Sequence, residues 1–390
     1  MRERIGILGG TFQPIHNGHL ALARHAMEAL SLSRVLFVID RIPPHKSLND
    51  GATTAQRLQL LELALHAEEG FFAETMELKR EGASYTVDTL RALKERTPDA
   101  ALFFLMGSDM LRSFPSWRAP QEIADLAVLV CTTREGHDAE EQASAQRCKE
   151  QFGARVVLLP AVSPISSTEI RTRIAQALPI DGMTPPAVAA EIYYLGLYQP
   201  SDILTYYNEV RAALSEKRMR HTAGVIETAI RLAAENGVDG KQARLAALLH
   251  DCAKELPPEQ LLLYSDTEEP ILPILHAYAG ADLARTKYGV TDEAVLRAIR
   301  LHTTGDAHMT KLDKILYLAD MIEPSRTFAG VSEIRMEKSL DDAILLAFQR
   351  SIWYIQSHNG RVHPATRRAI SDLEATNGRT IRRTASPEDL

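Results

Sequence analysis

Short apolar runs alternate with amphipathic helical stretches as far as Tyr198, and there the runs stop. This change of pattern constrains the fold more than any other feature of the chain. Up to it, the runs Ile5-Gly6-Ile7-Leu8, Val35–Ile39, Leu102–Met106, Leu126–Cys131 and Val156–Leu159 are separated by helical patterns such as Gln56–Glu68 and Thr86–Lys94. Strands that alternate with helices imply a parallel, doubly wound sheet. Ligands of such sheets sit beyond the carboxyl ends of the strands, so polar motifs that close an apolar run are where chemistry belongs. After Leu197-Tyr198-Gln199-Pro200-Ser201 the pattern becomes one of successive amphipathic helices. They are expected at Tyr207–Arg218, Ala223–Asn236, Gln242–Leu249, Ile274–Lys287, Glu293–Leu301, Leu312–Met321 and Leu340–Ser357. The predicted fold class is α/β then all-α: a doubly wound parallel-sheet (Rossmann-like) domain over 1–200, then an all-helical domain over 205–375. The boundary falls near 199–204, and the polar stretch 376–390 reads as a flexible tail.

The first polar motif is the most informative. Residues 9–19 read Gly-Gly-Thr-Phe-Gln-Pro-Ile-His-Asn-Gly-His and run into Leu20-Ala21-Leu22-Ala23. Glycines at a strand end let backbone approach a phosphate. His16 and His19 then fall on the first helical turn, where unpaired N–H groups and the helix dipole attract anions. Imidazole suits that place, because it donates a hydrogen bond without carrying a permanent charge. Further candidates follow in chain order. Lys46, in Pro43-Pro44-His45-Lys46, offers a compact charge for phosphates. Tyr85-Thr86-Val87-Asp88-Thr89 opens a helix with Thr86 placed to cap it. Asp109 follows the strand Leu102–Met106, where a carboxylate serves ribose hydroxyls or caps a helix. Trp117 is one of two tryptophans, and Arg134 follows the strand Leu126–Cys131. Ser166-Ser167-Thr168-Glu169 has the form of a capping box and leads to Arg171.

These elements, in this order over residues 9–171, resemble the nicotinate-nucleotide adenylyltransferases, a branch of the (T/H)xGH nucleotidyltransferases. One departure is that Gln13 stands where that family usually has Asp. The resemblance implies that Gly9, Gly10, Thr11, Phe12, His16, His19, Ser166, Ser167, Thr168 and Arg171 bind ATP. It likewise assigns Lys46, Tyr85, Thr86, Asp109, Trp117 and Arg134 to nicotinate mononucleotide, with Trp117 stacking on the pyridine ring. The implied reaction is in-line attack by the mononucleotide phosphate on the α-phosphorus of ATP, giving deamido-NAD and pyrophosphate. His16, His19, Lys46, Arg171 and Mg²⁺ would position the reactants and neutralise charge. Gln13 removes a carboxylate from the neighbourhood of that metal.

In the second half, His221, His250, His276, His302 and Asp320 are spaced by 29, 26, 26 and 18 residues, each on or ending a different predicted helix. Imidazoles and carboxylates converging from several helices are what a borderline metal needs. A lone helical His is usually structural, but Ala247-Leu248-Leu249-His250-Asp251 ends an apolar helix with two adjacent ionisable groups, costly to bury unpaired. The ordered set, with His250-Asp251-Cys252-Ala253-Lys254, His302-Thr303-Thr304-Gly305 and Leu318-Ala319-Asp320-Met321-Ile322-Glu323-Pro324-Ser325-Arg326, resembles the HD-superfamily symmetric diadenosine tetraphosphatases. It implies one metal on His221, His250, Asp251 and Asp320, and a second on His276 and His302 bridged by Asp251. Such a pair activates water and steadies both oxygens of a phosphoryl displacement. The family metal is iron, although the ligands alone suit manganese, cobalt or zinc. Lys254 and Arg326 are candidates to hold substrate phosphates. His308, His358 and His363 lie outside the spacing and are taken as surface residues.

Composition closes off other classes. A net charge of −7 argues against a nucleic-acid partner. No apolar run approaches the roughly 18–20 residues of a membrane span, and Met1-Arg2-Glu3-Arg4 enters a strand directly, so no membrane partner and a cytoplasmic location are expected. Cys131, Cys148 and Cys252 have neither disulfide nor zinc spacing. The expectation is a bifunctional enzyme acting on ATP, nicotinate mononucleotide and diadenosine tetraphosphate, with a homodimer implied only by the second resemblance. A pantetheine-phosphate or nicotinamide-nucleotide transferase is the alternative for the first half. Another nucleotide phosphohydrolase or a non-catalytic nucleotide sensor is the alternative for the second.

Overall fold

The structure, a computed structural model, describes residues 2–41, 51–80, 84–133, 138–161, 163–264 and 266–377. Lys46, Arg134 and the chain beyond 377 lie outside the described residues. The chain divides into two units, Met1–Thr172 with Ile180–Val188, and Arg173–Pro179 with Ala189–Leu390.

Strands β1 (Arg4–Gly10), β2 (Arg34–Ile39), β3 (Phe71–Glu74), β4 (Ala101–Gly107), β5 (Ala127–Thr132) and β6 (Val156–Leu159) form one parallel sheet in the order β3-β2-β1-β4-β5-β6. Its central strands are buried on both faces, with Ile5, Ile7, Phe104 and Leu129 in one core. That is why they read as continuous apolar runs rather than alternating ones. β3 escapes such a reading: it has four residues and exposes Phe72 at the sheet edge. Helices α1 (Asn17–Ala29), α2 (Thr54–Leu65), α3 (Thr86–Arg96), α4 (Ser108–Ser113), α5 (Pro120–Leu126), α6 (Asp138–Phe152), α7 (Ser167–Ala175) and α8 (Pro186–Leu195) complete this stretch of sequence. Strand order reverses between β1 and β4, where a doubly wound sheet opens a crevice at its carboxyl edge. Leu8 pairs with Leu105, so the glycines closing β1 and β4 finish side by side.

From Ser201 onward the chain is helical: α9 (Ser201–Ala213), α10 (Glu216–Asn236), α11 (Gly240–Leu249), α12 (Pro258–Leu263), α13 (Leu275–Thr286), α14 (Glu293–Leu301), α15 (Lys311–Ile322), α16 (Val331–Met336), α17 (Leu340–Ser357) and α18 (Pro364–Asn377). Two expectations are corrected. Tyr207–Arg218 is not one helix, because Leu214 is extended and the Ser215 hydroxyl caps α10 by accepting the Arg218 N–H. A Ser followed by Glu216 is a start signal inside an otherwise apolar-periodic stretch. The restart puts Arg218 and His221 on one helix, a turn apart. His363 is also not a surface residue. It is 4% exposed, and its Nδ1 accepts the Ala365 N–H at the start of α18. His308 and His358 are exposed as expected. Among the described residues no helix is long and apolar enough to cross a membrane.

Candidate functional sites

The carboxyl edge of the first sheet is built around the turn after β1. Phe12 adopts φ 45° and buries its ring, which meets His19 edge-on at 5.2 Å and Phe37 at 5.8 Å. The Phe12 side chain therefore packs beneath the turn rather than facing a ligand. His16 caps α1, and its N–H donates to Nδ1 of His19 at 3.3 Å. That bond leaves the proton of a neutral His19 on Nε2, as a donor. His16 is 5% exposed, and burial pushes its pKa down to about 4. It is therefore neutral at pH 7. The two rings lie 3.7 Å apart.

The helix opened by Ser166–Arg171 holds the other side of this turn. Ser167 donates to the Pro14 carbonyl at 2.9 Å and Arg171 to the Gln13 carbonyl at 2.7 Å. Ser166 accepts the Glu169 N–H, which is one of the two bonds of a capping box, and Ser166 and Thr168 remain exposed. Arg57 is a residue that sequence reading missed. Fully buried on α2, it donates to the Thr11 carbonyl at 2.7 Å and the Asp40 carbonyl at 2.9 Å. It thereby clamps the ends of β1 and β2 together. Its sequence surroundings carry no signal, since an arginine in a helical pattern is ordinarily solvated.

A cavity of about 590 Å³ opens beside the turn, lined among others by Gly9, Gly10, Thr11, Tyr85, Thr86 and Trp117. His16, His19, Asp109 and Arg171 are not part of its lining. Trp117 donates its indole N–H to Ser113 at 3.2 Å and sets its edge against Phe104. Thr86 is the first residue of α3 rather than its cap; Tyr85 is the cap. Asp109 lies exposed in the first turn of α4. Arg118, also missed, lines the cavity with its guanidinium 4.5 Å from the centre of the Tyr85 ring. Among the described residues it is the cation in a lining that also includes Asp40 and Glu77.

In the second unit the spacing of ionisable residues resolves into one cluster. α10 supplies His221, α15 supplies Asp320, α13 supplies His276, and His250 and His302 cap the ends of α11 and α14. Asp251 stands between them with its oxygens divided. Oδ2 lies 3.4 Å from His250 Nε2 and 3.8 Å from His221 Nε2. Oδ1 lies 3.2 Å from His276 Nε2 and 3.8 Å from His302 Nε2. Two triplets, His221/His250/Asp251 and Asp251/His276/His302, thus share one carboxylate, each compact enough to hold an ion. Asp320 Oδ1 is 2.9 Å from His221 Nε2.

The donor set fits divalent metals. Nε2 of His221 and of His250 is buried without a well-formed hydrogen bond among the described residues. Nδ1 of His250 and of His302 is meanwhile taken up by carbonyls of Ala247 and Ile299, each at 2.7 Å. That division leaves the Nε2 lone pairs facing inward. Burial pushes Asp251 upward, but His250, His276 and His302 outweigh it and hold the carboxyl well below the usual range. Burial also lowers His276 to about 4 and depresses Lys254, whose ammonium lies 3.2 Å from the His276 ring nitrogens. Arg326 donates to Asp320 at 2.7 Å. Arg218, which sequence reading passed over, donates to Asp251 Oδ2 at 2.7 Å. The start of α10 at Glu216 is what puts it on the same helix as His221.

Comparisons with known proteins match two separate stretches of the chain. The Cytidylyltransferase-like family matches residues 7–173, and the HD domain family matches residues 218–325. The chain is 30% identical to a probable nicotinate-nucleotide adenylyltransferase/Ap4A hydrolase of Mycoplasma pneumoniae, over 90% of this chain and 98% of that one. A protein of the same name from Mycoplasma genitalium is 29% identical over 92% of this chain and 99% of its own length. A probable nicotinate-nucleotide adenylyltransferase of Thermomicrobium roseum is 40% identical over 50% of this chain and 92% of its own.

Proposed function

The chain belongs to the family of nicotinate-nucleotide adenylyltransferase/Ap4A hydrolases, and from that premise we propose how its residues divide the two reactions. We assign the transferase to residues 1–200 and the hydrolase to 205–375, with 376–390 as a tail.

In the transferase, a phosphate oxygen of nicotinate mononucleotide attacks the α-phosphorus of ATP. A new P–O–P bond forms, and the bond to the β-phosphate bridging oxygen breaks to release pyrophosphate. The observation that carries this reading is the cavity of about 590 Å³ whose lining includes Gly9, Gly10, Tyr85, Thr86 and Trp117. The mononucleotide occupies that cavity, its pyridine against Trp117. ATP lies along the turn of residues 9–19, where the Nε2–H of His19 donates to its phosphates and Arg171 offsets the charge on the leaving group. His16, neutral and packed on His19, keeps that ring in place. Thr11, Ser166, Ser167 and Thr168 contribute hydroxyls or N–H groups. Asp109 serves a ribose, and Lys46 and Arg134 supply phosphate contacts from segments outside the described residues. Mg²⁺ bound with ATP would reduce the charge on the phosphates; Gln13, with a neutral amide, offers no carboxylate ligand for it.

In the hydrolase, His221, His250, Asp251 and Asp320 would hold one metal and Asp251, His276 and His302 the other; iron is the proposed occupant, with manganese, cobalt or zinc chemically suited. Such metals supply Lewis acidity and lower the pKa of water. The chain's own contribution is charge and position. Arg218, Lys254 and Arg326 surround the carboxylates and bind the phosphate chain of Ap4A. A water oxygen bonds to one inner phosphorus, the bond from that phosphorus to the central bridging oxygen breaks to yield two ADP, and the water's proton leaves to solvent or to the departing ADP. The division of the Asp251 oxygens between two histidine pairs supports this reading. The cytoplasm is the compartment assigned to both reactions, and sedimentation of the full chain tests the homodimer that accompanies them.

One experiment tests both halves. Full-length protein receives ATP, Mg²⁺ and nicotinate or nicotinamide mononucleotide in one pair of tubes, and Ap4A with Fe²⁺ or Mn²⁺ in another. Chromatography should show deamido-NAD made in preference to NAD, and ADP as the sole Ap4A product. Preference for the nicotinamide substrate would overturn the assignment of the cavity. An inert Ap4A tube with both metals would move the hydrolase to another nucleotide.

A further inference from the structure

An imidazole that binds a metal through one nitrogen needs a partner for the other, because that bond sets both the tautomer and the angle of the ring. His250 and His302 obtain theirs from carbonyls three residues earlier in their own chain. No side-chain substitution can remove such partners. His221 is different. Its Nδ1 lies 3.2 Å from Oε1 of Glu323, immediately beyond the end of α15.

Glu323 is 1% exposed, and its carboxylate is itself held in place. The Ser325 N–H donates to Oε2 at 2.7 Å, and the Ser325 hydroxyl donates to Oε1. The chain on either side is pinned by Arg335, which donates to the carbonyls of Ile322 at 2.9 Å and Glu323 at 2.7 Å. Gly224, one turn after His221 on α10, completes the arrangement. A Cβ there would stand 2.7 Å from Oε2 of Glu323, so only glycine leaves room for this carboxylate.

We infer that Glu323 is the positioning residue of the hydrolase centre: it accepts the Nδ1–H of His221, so that the ring presents an unprotonated Nε2 toward His250, Asp251 and Asp320, and Gly224 is the opening through which it reaches the ring. Glu323 is not a metal ligand. Its oxygens are taken by Ser325 and His221, on the side of the ring away from Nε2. The inference rests on the metal-binding reading of the cluster.

The test uses full-length wild type, Glu323→Gln, Glu323→Asp and Gly224→Ala. Mn²⁺ binding is followed by electron paramagnetic resonance of the free ion, alongside melting temperature and separate kcat and KM for Ap4A. In Glu323→Gln an amide N–H₂ must face either the Ser325 donors or the His221 N–H. Gly224→Ala displaces the carboxylate while leaving its charge intact. Both should weaken Mn²⁺ binding about 10–100-fold. kcat should fall with it, while KM stays within about twofold, and Glu323→Asp should recover part of the affinity. Wild-type Mn²⁺ affinity in both Glu323→Gln and Gly224→Ala would overturn the inference, even if either melts earlier, because the residues would then be structural only. Wild-type protein that binds no Mn²⁺ would overturn the metal reading itself, and this inference with it.

Discussion

Alanine at position 18 separates what holds the transferase site from what holds the fold. Gly18 is the second residue of α1, and it is not among the glycines with positive φ. Backbone conformation therefore favours alanine there, by about 0.8–1 kcal/mol of helix propensity. Space opposes it. The added Cβ would sit 2.9 Å from His16 Nδ1, 3.0 Å from Cε1 and 3.2 Å from the Ile165 carbonyl oxygen. His16 is 5% exposed, with the His19 ring 3.7 Å away, so it retreats only by moving its partner. Overpacking of this kind costs about 1–3 kcal/mol. Set against the propensity gain, the net loss lies between nothing and about 2 kcal/mol, a few degrees in melting temperature. Catalysis should respond more steeply, because misplacing a group by about 1 Å costs on the order of a hundredfold. Pyrophosphate release by Gly18→Ala should therefore fall about ten- to hundredfold in kcat/KM, with Ap4A hydrolysis unchanged as the internal control. Transfer at the wild-type rate would refute the reasoning, since the packed His16–His19 pair would then not be what the reaction depends on.

His19→Ala should abolish adenylyl transfer and spare Ap4A hydrolysis, whereas Asp251→Ala should do the reverse; loss of both activities in either variant would contradict independent sites. Arg118→Ala should raise KM for nicotinate mononucleotide about tenfold, the effect of one charged contact, while KM for ATP stays put. An equal rise in both would remove Arg118 from mononucleotide recognition. His16 predicts a pH dependence of stability. Its folded pKa of about 4 lies below the ordinary imidazole value of about 6.5, so the unfolded chain binds the extra proton. The stability of the neutral form is complete above about pH 6.5 and is lost as pH falls toward 4, by up to about 3 kcal/mol. Melting curves between pH 7 and 4.5 should show a smaller acid-induced decline in His16→Asn than in wild type, and parallel declines would refute the assignment.

What was legible in the sequence follows from what is expensive to bury. A His-Asp pair ending the helix Gly240–Leu249 is costly to bury unpaired, and with histidines on other predicted helices it pointed to a set of residues that the fold brings together. The parallel strands were legible for the opposite reason, being too apolar to face water on either side. Position within these elements was less visible. Arg57 looks like any solvated helical arginine, and only the fold brings the Thr11 and Asp40 carbonyls to it. Arg218 was hidden by a helix break at Leu214 that apolar periodicity does not register. Glu323 lies within the motif Leu318–Arg326, yet its partner His221 is 102 residues away. A ligand reveals itself by its chemistry, because its residue type and burial already limit what it can do. The residue that orients a ligand is an ordinary carboxylate until distance and direction are known, and its most telling companion is the absence of a side chain at Gly224. Sequence therefore shows which groups must meet, while the tautomer and angle at which they meet are settled by pairs that only the folded chain brings together.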